Sequence, residues 1–261
     1  MSGMFDSQWF RKSDAVFTAE VLADAGAHAA SEAPNEACGI VRAGRYVPCK
    51  NVSATPAETF EIAASTMGKA YKAGDLQGVI HSHPGGPWWP SEADMVGQMA
   101  SGVPWAILVP GEESAALACH WGGARPKVFH DGLHVPRVFL HGVSDCYSLV
   151  QDYYREAHGL ALADFPRKWN WWREPQEGQG LYLDNLEAQG FEVVTTDPDS
   201  FKTVAQAGDA YLMCIRSKVP NHAGIYLGDG LLLEHMHGAL SHREPIERKL
   251  SHITHWLRPK G

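Results

Sequence analysis

The sequence predicts an α/β (α+β) chain of two domains, residues 1–130 and 131–261. In the first half, short apolar runs alternate with amphipathic stretches, as expected when helices flank a mixed sheet. In the second half, an amphipathic helix precedes two apolar runs that a Gly-Asp-Gly turn at 228–230 joins, which is typical of a β-hairpin. Residues 124–140, which carry two prolines, are the best candidate for a linker between the halves.

Composition narrows the class of protein. The 261 residues are 44% hydrophobic and 20% charged, which is ordinary for a globular protein. A formal net charge of -8, with no block of basic residues, argues against nucleic acid or an anionic membrane surface as a partner. Because no apolar run approaches the roughly 20 residues of a membrane span, no span is expected. The five cysteines are scattered, which predicts neither a disulfide framework nor a cysteine-type zinc site.

The first half begins with a helix that Thr18 caps and Pro34 ends, with Val21 and Ala25 on its apolar stripe. The elements expected after it are strands at residues 38–41, 45–51 and 59–62, a helix at 65–73, a strand at 78–83, a helix at 91–101 and a strand at 105–109. In the second half we expect a helix after residue 145, a strand at 210–215, the hairpin, and a strand or packed coil at 241–261.

Two histidines and an aspartate flank a proline- and glycine-rich turn in the first half. The run His81-Ser82-His83 ends a buried strand, so both imidazoles point to the same face. Asp94 follows in the first turn of the next helix. Zinc accepts two imidazoles and a carboxylate, and three protein ligands leave one position open, as a hydrolytic site requires. Because Ser91-x-x-Asp94 is also a capping box, that part of the pattern has a purely structural alternative.

This spacing resembles the JAMM (MPN-plus) metallopeptidases. Their pattern is a glutamate on an earlier strand, then His-x-His, seven residues and Ser-x-x-Asp, and the chain has every part of it. The resemblance implies that His81, His83 and Asp94 bind Zn2+. It also implies that Glu36 is the general base and that Ser91 stabilises the oxyanion. Taken alone, a glutamate near a strand is more often a solvated side chain.

A cysteine in the second half has the setting of a nucleophile. Cys146 follows Asp145 at a helix start, where backbone N–H groups and the helix dipole lower a thiol pKa. His222 begins the hairpin, and a cysteine, a distant histidine and a polar group that orients it form a cysteine peptidase site. That third group is Glu234 or His235, of which only one can face His222 on a strand; we choose His235. A small buried cysteine is the structural alternative.

These segments resemble the NlpC-type cysteine peptidases, a papain-like family of peptidoglycan endopeptidases. The family's Asp-Cys-Ser-Gly-Leu-Val is Asp-Cys-Tyr-Ser-Leu-Val here, and its His-Val-Gly-Ile-Tyr-Leu-Gly is His-Ala-Gly-Ile-Tyr-Leu-Gly. The resemblance implies a papain-like fold, Cys146 as nucleophile, His222 as base and peptidoglycan stem peptides as substrate. The chain departs from the family at Tyr147 and Ser148.

The order of the two domains is that of the tail tip assembly proteins of lambdoid and other long-tailed phages. This likeness implies a protein that contacts other tail tip proteins, resides in the host cytoplasm during assembly, and acts at the host cell wall from the virion tail tip. One alternative is a structural assembly factor or plug with idle sites, and another is a cellular enzyme that removes a ubiquitin-like modifier. Trp169, Trp171 and Trp172 either line a glycan or peptide groove or pack their own loop.

Overall fold

The computed structural model describes residues 16–111, 115–122, 129–130, 133–134, 138–173, 180–197 and 199–260. The chain divides into two compact units, Met1–Pro126 and Lys127–Gly261. Much of the expected linker lies outside the described residues. Within them, none of the helices has the length and apolar character that crossing a membrane requires.

The first unit is a mixed five-stranded sheet with helices against it. Its elements are α1 (Ala19–Glu32), β1 (Cys38–Arg42), β2 (Arg45–Cys49), α2 (Ala64–Ala73), β3 (Leu76–Ser82), α3 (Glu92–Ser101), β4 (Trp105–Pro110) and β5 (Ala115–Trp121). The strand order is β2-β1-β3-β4-β5, and β3 and β4 are the parallel pair. Ile80 packs with Val21 and Ala25 of α1. Since side chains alternate along a strand, His81 points to the opposite face of the sheet.

The strand expected at residues 59–62 does not form. Only an isolated bridge joins Asn51 and Ile62, and β2 already ends at Cys49. The side chain of Asn51 takes over the hydrogen bonds of this segment. Its Nδ2 donates to the carbonyls of Glu36 and Thr59 at 2.9 and 3.0 Å. Its Oδ1 accepts a hydrogen bond from the backbone N–H of Glu61 at 3.1 Å. One amide side chain therefore satisfies backbone groups that a strand ladder would otherwise pair.

The second unit is a six-stranded antiparallel sheet with a helix packed on one face. In chain order its elements are β6 (Phe129–His130), β7 (Leu133–His134), α4 (Cys146–His158), α5 (Leu181–Asn185), β8 (Phe191–Thr195), α6 (Phe201–Val204), β9 (Ala210–Met213), β10 (His222–Gly228), β11 (Leu231–Glu234), β12 (His242–Pro245) and β13 (Ile253–Pro259). The order is β12-β11-β10-β9-β13-β8, while β6 and β7 pair only with each other. Between β12 and β13 lie two short 3-10 turns, Ile246–Arg248 and Leu250–His252.

The core of the second unit fixes the start of α4 against the hairpin. Leu149 and Tyr154 of α4 pack in one buried cluster with Ala223 and Ile225 of β10 and Leu233 of β11. This contact brings the N-terminus of α4 to the beginning of β10. The last stretch of the chain, expected as strand or coil, supplies β13, which lies inside the sheet between β9 and β8.

Candidate active sites

The predicted ligands of the first unit converge on one point. The Nε2 atoms of His81 and His83 are 3.0 Å apart. Asp94 approaches both, with Oδ1 3.3 Å from His81 Nε2 and Oδ2 3.5 Å from His83 Nε2. All three side chains are buried, and one ligand atom from each lies within 4.8 Å of the others. Two imidazole nitrogens and a carboxylate gathered in a buried pocket fit a zinc ion.

Surrounding groups fix the orientation of both imidazoles. His83 Nδ1 lies 2.8 Å from the carbonyl oxygen of Pro87. Nδ1 therefore carries the ring proton and donates a hydrogen bond to that carbonyl, which leaves the lone pair of Nε2 facing the other ligands. The ring of His81 stacks on Phe60, with centroids 4.4 Å apart. Trp105 meets the same imidazole edge-on at 5.8 Å. The rings around His81 therefore restrict its rotation before any metal binds.

Asp94 serves as helix cap and candidate ligand together. The backbone N–H and the hydroxyl of Ser91 both donate to Asp94 Oδ2 at 2.7 Å, and the backbone N–H of Asp94 donates to Ser91 Oγ at 3.1 Å. Burial works to raise the pKa of Asp94, but His81, His83 and Ser91 outweigh it and hold the pKa well below its usual range. The capping box thus fixes the carboxylate in the rotamer that the site requires.

Glu36 lies at the wall of the same cavity, two residues before β1. The cavity has a volume of about 590 Å³ and also borders His83, Ser91 and Asp94. Burial raises the pKa of Glu36 to about 7, the charge of His83 lowers it in part, and Asp94 raises it further. A carboxyl group with this pKa can both take up and release a proton near neutrality.

The predicted nucleophile and base of the second unit also meet. Cys146 is the first residue of α4, and the N-cap residue Asp145 accepts a hydrogen bond from Ser148 N at 2.9 Å through Oδ1. Burial raises the pKa of the Cys146 thiol, yet the hydrogen bond and charge of His222 reverse this and leave it below the ordinary value. Burial lowers the pKa of His222, but Cys146 and Glu234 raise it to about 9. These opposite shifts favour a thiolate beside an imidazolium.

The structure places Glu234 next to His222, so the prediction that His235 faces His222 is wrong. Tyr226 pairs with Leu232, so the side chains of His222 and Glu234 lie on one face of the hairpin. Glu234 Oε2 is 3.6 Å from His222 Nε2. His235 is next along the chain and packs edge-on against Phe139, with ring centroids 5.2 Å apart.

A bulge explains why this register is hard to read from the sequence. Gly228 pairs with Leu231 at the turn, and the register shifts by one residue before the next pair, Tyr226 with Leu232. Continued from the turn pair, the ladder would put His235 on the face of His222. The one-residue shift puts Glu234 there instead, because a slip of one residue exchanges the two faces of a strand.

Three further residues of this site carry no sequence signal. The hydroxyl of Tyr182, on α5, lies 3.3 Å from Cys146 Sγ. Arg167 is almost fully buried and donates to Asp145 Oδ2 through Nε at 3.0 Å and through Nη2 at 2.8 Å. The imidazole of His141 lies 2.8 Å from the carbonyl of Arg167. Tyr182 thus contacts the thiol, while Arg167 and His141, whose Nδ1 lies 3.9 Å from Asp145 Oδ2, surround the helix cap.

The three clustered tryptophans at residues 169–172 both line a cavity and pack against one another. Trp169, Trp171 and Trp172 line a cavity of about 600 Å³ that also borders Cys146 and His222. Trp172 meets both other indoles, with ring centroids 5.6 Å from Trp169 and 5.8 Å from Trp171. Their mutual packing therefore forms one wall of the cysteine cavity.

Comparison with known proteins agrees with the domain families predicted for both halves of the chain. Residues 18–120 match the prokaryotic homologs of the JAB domain, and residues 118–256 match the NlpC/P60 family. The fold and the sites thus define a JAB-type domain followed by an NlpC/P60 domain, which confirms the predicted α/β (α+β) class and domain order.

Two relatives match most of this chain. The chain is 42% identical over 190 residues to tail tip assembly protein K of Escherichia phage lambda, covering 72% of this chain and 84% of that protein. It is 35% identical over 223 residues to tail tip assembly protein K of Escherichia phage N15, covering 84% of this chain and 85% of that protein. The chain belongs to this family of phage tail tip assembly proteins.

Proposed function

We propose that the second unit is a cysteine peptidase that cuts amide bonds in the stem peptides of peptidoglycan. The observation that carries this proposal is the row formed by Cys146, His222 and Glu234, of which Cys146 and His222 border an aromatic-walled cavity. Membership of the NlpC/P60 family supports the same class of substrate. These three residues supply the nucleophile, the base and the group that orients the base.

The residues divide the reaction between them. The Cys146 thiolate attacks the carbonyl carbon, and His222 gives a proton to the departing amine. Water then hydrolyses the thioester: His222 takes a proton from the water, and the sulfur leaves as thiolate, which restores the thiolate and the imidazolium. Glu234 holds the imidazole in line and compensates its positive charge. Tyr182, with its hydroxyl 3.3 Å from the sulfur, is our candidate donor to the oxyanion.

A defined stem peptide tests this assignment. We expect the wild type to release a new α-amine and Cys146→Ala to lose at least about a thousandfold in rate, because the nucleophile is gone. Cys214→Ala is the matched control, since this thiol belongs to the same unit but lies outside the cysteine cavity. Hydrolysis by folded Cys146→Ala at the wild-type rate would refute the proposal.

For the first unit, we propose a zinc-dependent peptidase or isopeptidase site. His81, His83 and Asp94 would hold Zn2+, which supplies Lewis acidity for amide hydrolysis. Glu36 takes up a proton at its carboxylate and returns it to the leaving group. The backbone N–H of Ser91 holds Asp94 through the helix cap. The Ser91 hydroxyl, which donates to Asp94 Oδ2 in the free site, turns away from it during the reaction and donates its one proton to the oxyanion. The donor set and the pKa of Glu36 support this assignment.

Metal analysis tests the zinc site directly. After incubation with zinc and dialysis, elemental mass spectrometry should find about one zinc per wild-type chain. His81→Ala should retain little, because it removes a ligand. His28→Ala is the matched control, since His28 is on α1 and contacts Tyr46 rather than the cluster. A wild-type chain that takes up no zinc, or a His81→Ala chain that keeps it, would contradict the assignment.

We further propose that the protein works among other tail tip proteins, in the host cytoplasm during assembly and at the cell wall in the virion. The relatives' name supports an assembly role, and this role does not by itself require catalysis. Phage that carry Cys146→Ala or His81→Ala separate the two possibilities. Loss of infectivity with normal folding supports catalysis, whereas full infectivity of both would leave a structural role with idle sites.

A further inference from the structure

The carboxylate of Glu234 is fully buried, and each of its two oxygens lies near a basic side chain. Its Oε2 faces His222 Nε2 at 3.6 Å. Its Oε1 lies 3.2 Å from Lys249 Nζ and 3.5 Å from His242 Nε2. Lys249 follows the first 3-10 turn after β12 and has no part in the peptidase mechanism above. The carboxylate is thus shared between the catalytic histidine and a cation from a distant part of the sequence.

We propose that Lys249 is a positioning residue of the cysteine site, which keeps Glu234 ionised and directed at His222. Four groups of alternating charge then lie in a row: thiolate, imidazolium, carboxylate and ammonium. This inference rests on the proposed role of Cys146 and His222. It adds that the charge state of the nucleophile depends on a lysine that touches neither the thiol nor the substrate.

The physical reason is the cost of an isolated buried charge. A carboxylate removed from water without a cation raises its pKa and takes up a proton. A neutral Glu234 would no longer favour the imidazolium form of His222, and a neutral His222 would no longer favour the thiolate of Cys146. The pKa of Glu234 is in fact below its usual value: burial works to raise it, but His222 and Lys249 outweigh that effect.

The backbone around Lys249 fixes its direction. Lys249 N donates to Ile246 O at 2.9 Å, and His252 N donates to Lys249 O at 2.8 Å. The residue is therefore held on both sides by the two 3-10 turns. Its side chain is about three-quarters buried, with 23% exposed, so the ammonium is partly shielded from solvent. Shielding strengthens its interaction with the carboxylate.

Other titratable groups surround Glu234. His222 faces it from β10, and His242 from β12, where Glu244 Oε2 holds His242 Nε2 at 3.0 Å. Tyr211 of β9 interacts with it electrostatically. Among Lys249, His242 and His222, Lys249 makes the shortest contact with the carboxylate of Glu234, at 3.2 Å. Glu234, His242 and Glu244 also have the spacing of metal ligands, and a chelator removes that complication.

The test is the pH dependence of Cys146 alkylation by iodoacetamide, followed by mass spectrometry of the peptide that contains Cys146, with EDTA present. Alkylation reads the thiolate without any substrate, so its outcome is separate from whether the protein cuts peptidoglycan. Lys249→Met should move the profile to higher pH by about one unit, a roughly tenfold loss of rate at pH 6. Lys249→Arg should restore the wild-type profile, and Lys260→Met, an exposed lysine of the same unit, should leave it unchanged.

A second comparison, with the double variant Glu234→Gln/Lys249→Met, is informative even if Lys249→Met alone does not fold. Glu234→Gln needs no cation, so adding Lys249→Met to it should cause no further shift in the profile. If Lys249→Met alone fails to fold while the double variant folds, charge compensation is again supported. The inference is overturned if the Lys249→Met profile coincides with the wild type, or if the double variant shifts further or unfolds.

Discussion

A buried ion pair beneath the nucleophile gives a sharp prediction about stability. Arg167 and Asp145 are each at most 3% exposed, and two guanidinium N–H groups of Arg167 donate to one carboxylate oxygen. The same oxygen accepts from Gly142 N at 2.8 Å, and the other caps α4. Arg167→Met removes the cation and leaves the charge of Asp145 buried. Breaking a buried pair in this way costs about 3–5 kcal/mol in free energy of unfolding.

An exposed arginine–aspartate pair that uses the same two guanidinium nitrogens provides the control. Arg42 donates to Asp75 through Nε at 2.8 Å and Nη2 at 2.7 Å, with both side chains about one-third exposed. Solvent screens such a pair, so Arg42→Met should change stability little. The double variant Arg167→Met/Asp145→Asn should lose less stability than Arg167→Met alone, because no fully buried charge is left without a partner. Asp164, the other carboxylate that Arg167 contacts, is 33% exposed to solvent.

Hydrogen exchange as a function of urea measures each unit in the intact chain. Peptides from α4 report the second unit, and peptides from β3 report the first. The reasoning predicts a large loss of protection at α4 for Arg167→Met and a much smaller change at β3 for Arg42→Met. Equal effects of the two substitutions would refute it, since burial would then not set the cost.

Three further predictions concern single positions. Folding raises the pKa of Glu36, so this residue favours the folded state only while it is protonated, and its contribution is lost as the pH rises from about 4.5 to 7. In the metal-free protein, Glu36→Gln should remove this fall in stability, which urea midpoints measure. Phe60→Leu, which loses the ring stacked on His81, should weaken zinc binding by about tenfold in a competition with a chromophoric chelator. Gly224→Ala should lower the melting temperature, because its Cβ would lie 2.3 Å from the hydroxyl oxygen of Tyr211.

Each of these has an outcome that contradicts it. A pH dependence that survives in Glu36→Gln would mean that another group titrates there. Unchanged zinc affinity in Phe60→Leu would mean that the stacked ring does not hold the ligand. Gly68→Ala is the control for Gly224→Ala, since a Cβ there meets no atom within 4 Å; equal melting temperatures for the two variants would show that close packing is not the cause.

The cluster that forms the candidate zinc site could be predicted from the sequence because its three proposed ligands are local. His81 and His83 share a face through the period of a strand, and Asp94 follows within a single turn and helix cap. Each step depends on spacing that a short stretch of sequence displays. Even the alternative explanation, a capping box, is part of the same geometry rather than a competitor.

The rest of the cysteine site depends on tertiary structure. A one-residue bulge decides between Glu234 and His235, and nothing in the hairpin sequence marks it. Arg167 and Lys249 reach the site from loops, so their partners depend on how the chain packs. The same limit applied to residues 59–62, which resemble a strand although the side chain of Asn51 binds their backbone.

The most direct test of the division between the two sites is mass spectrometry of purified peptidoglycan after incubation with the wild type, Cys146→Ala and Asp94→Asn. We predict that the wild type and Asp94→Asn release the same stem-peptide fragments, because the cut requires only the cysteine site, and that Cys146→Ala releases none. Release by folded Cys146→Ala, or loss of release in folded Asp94→Asn, would contradict the assignment of cell wall cleavage to Cys146.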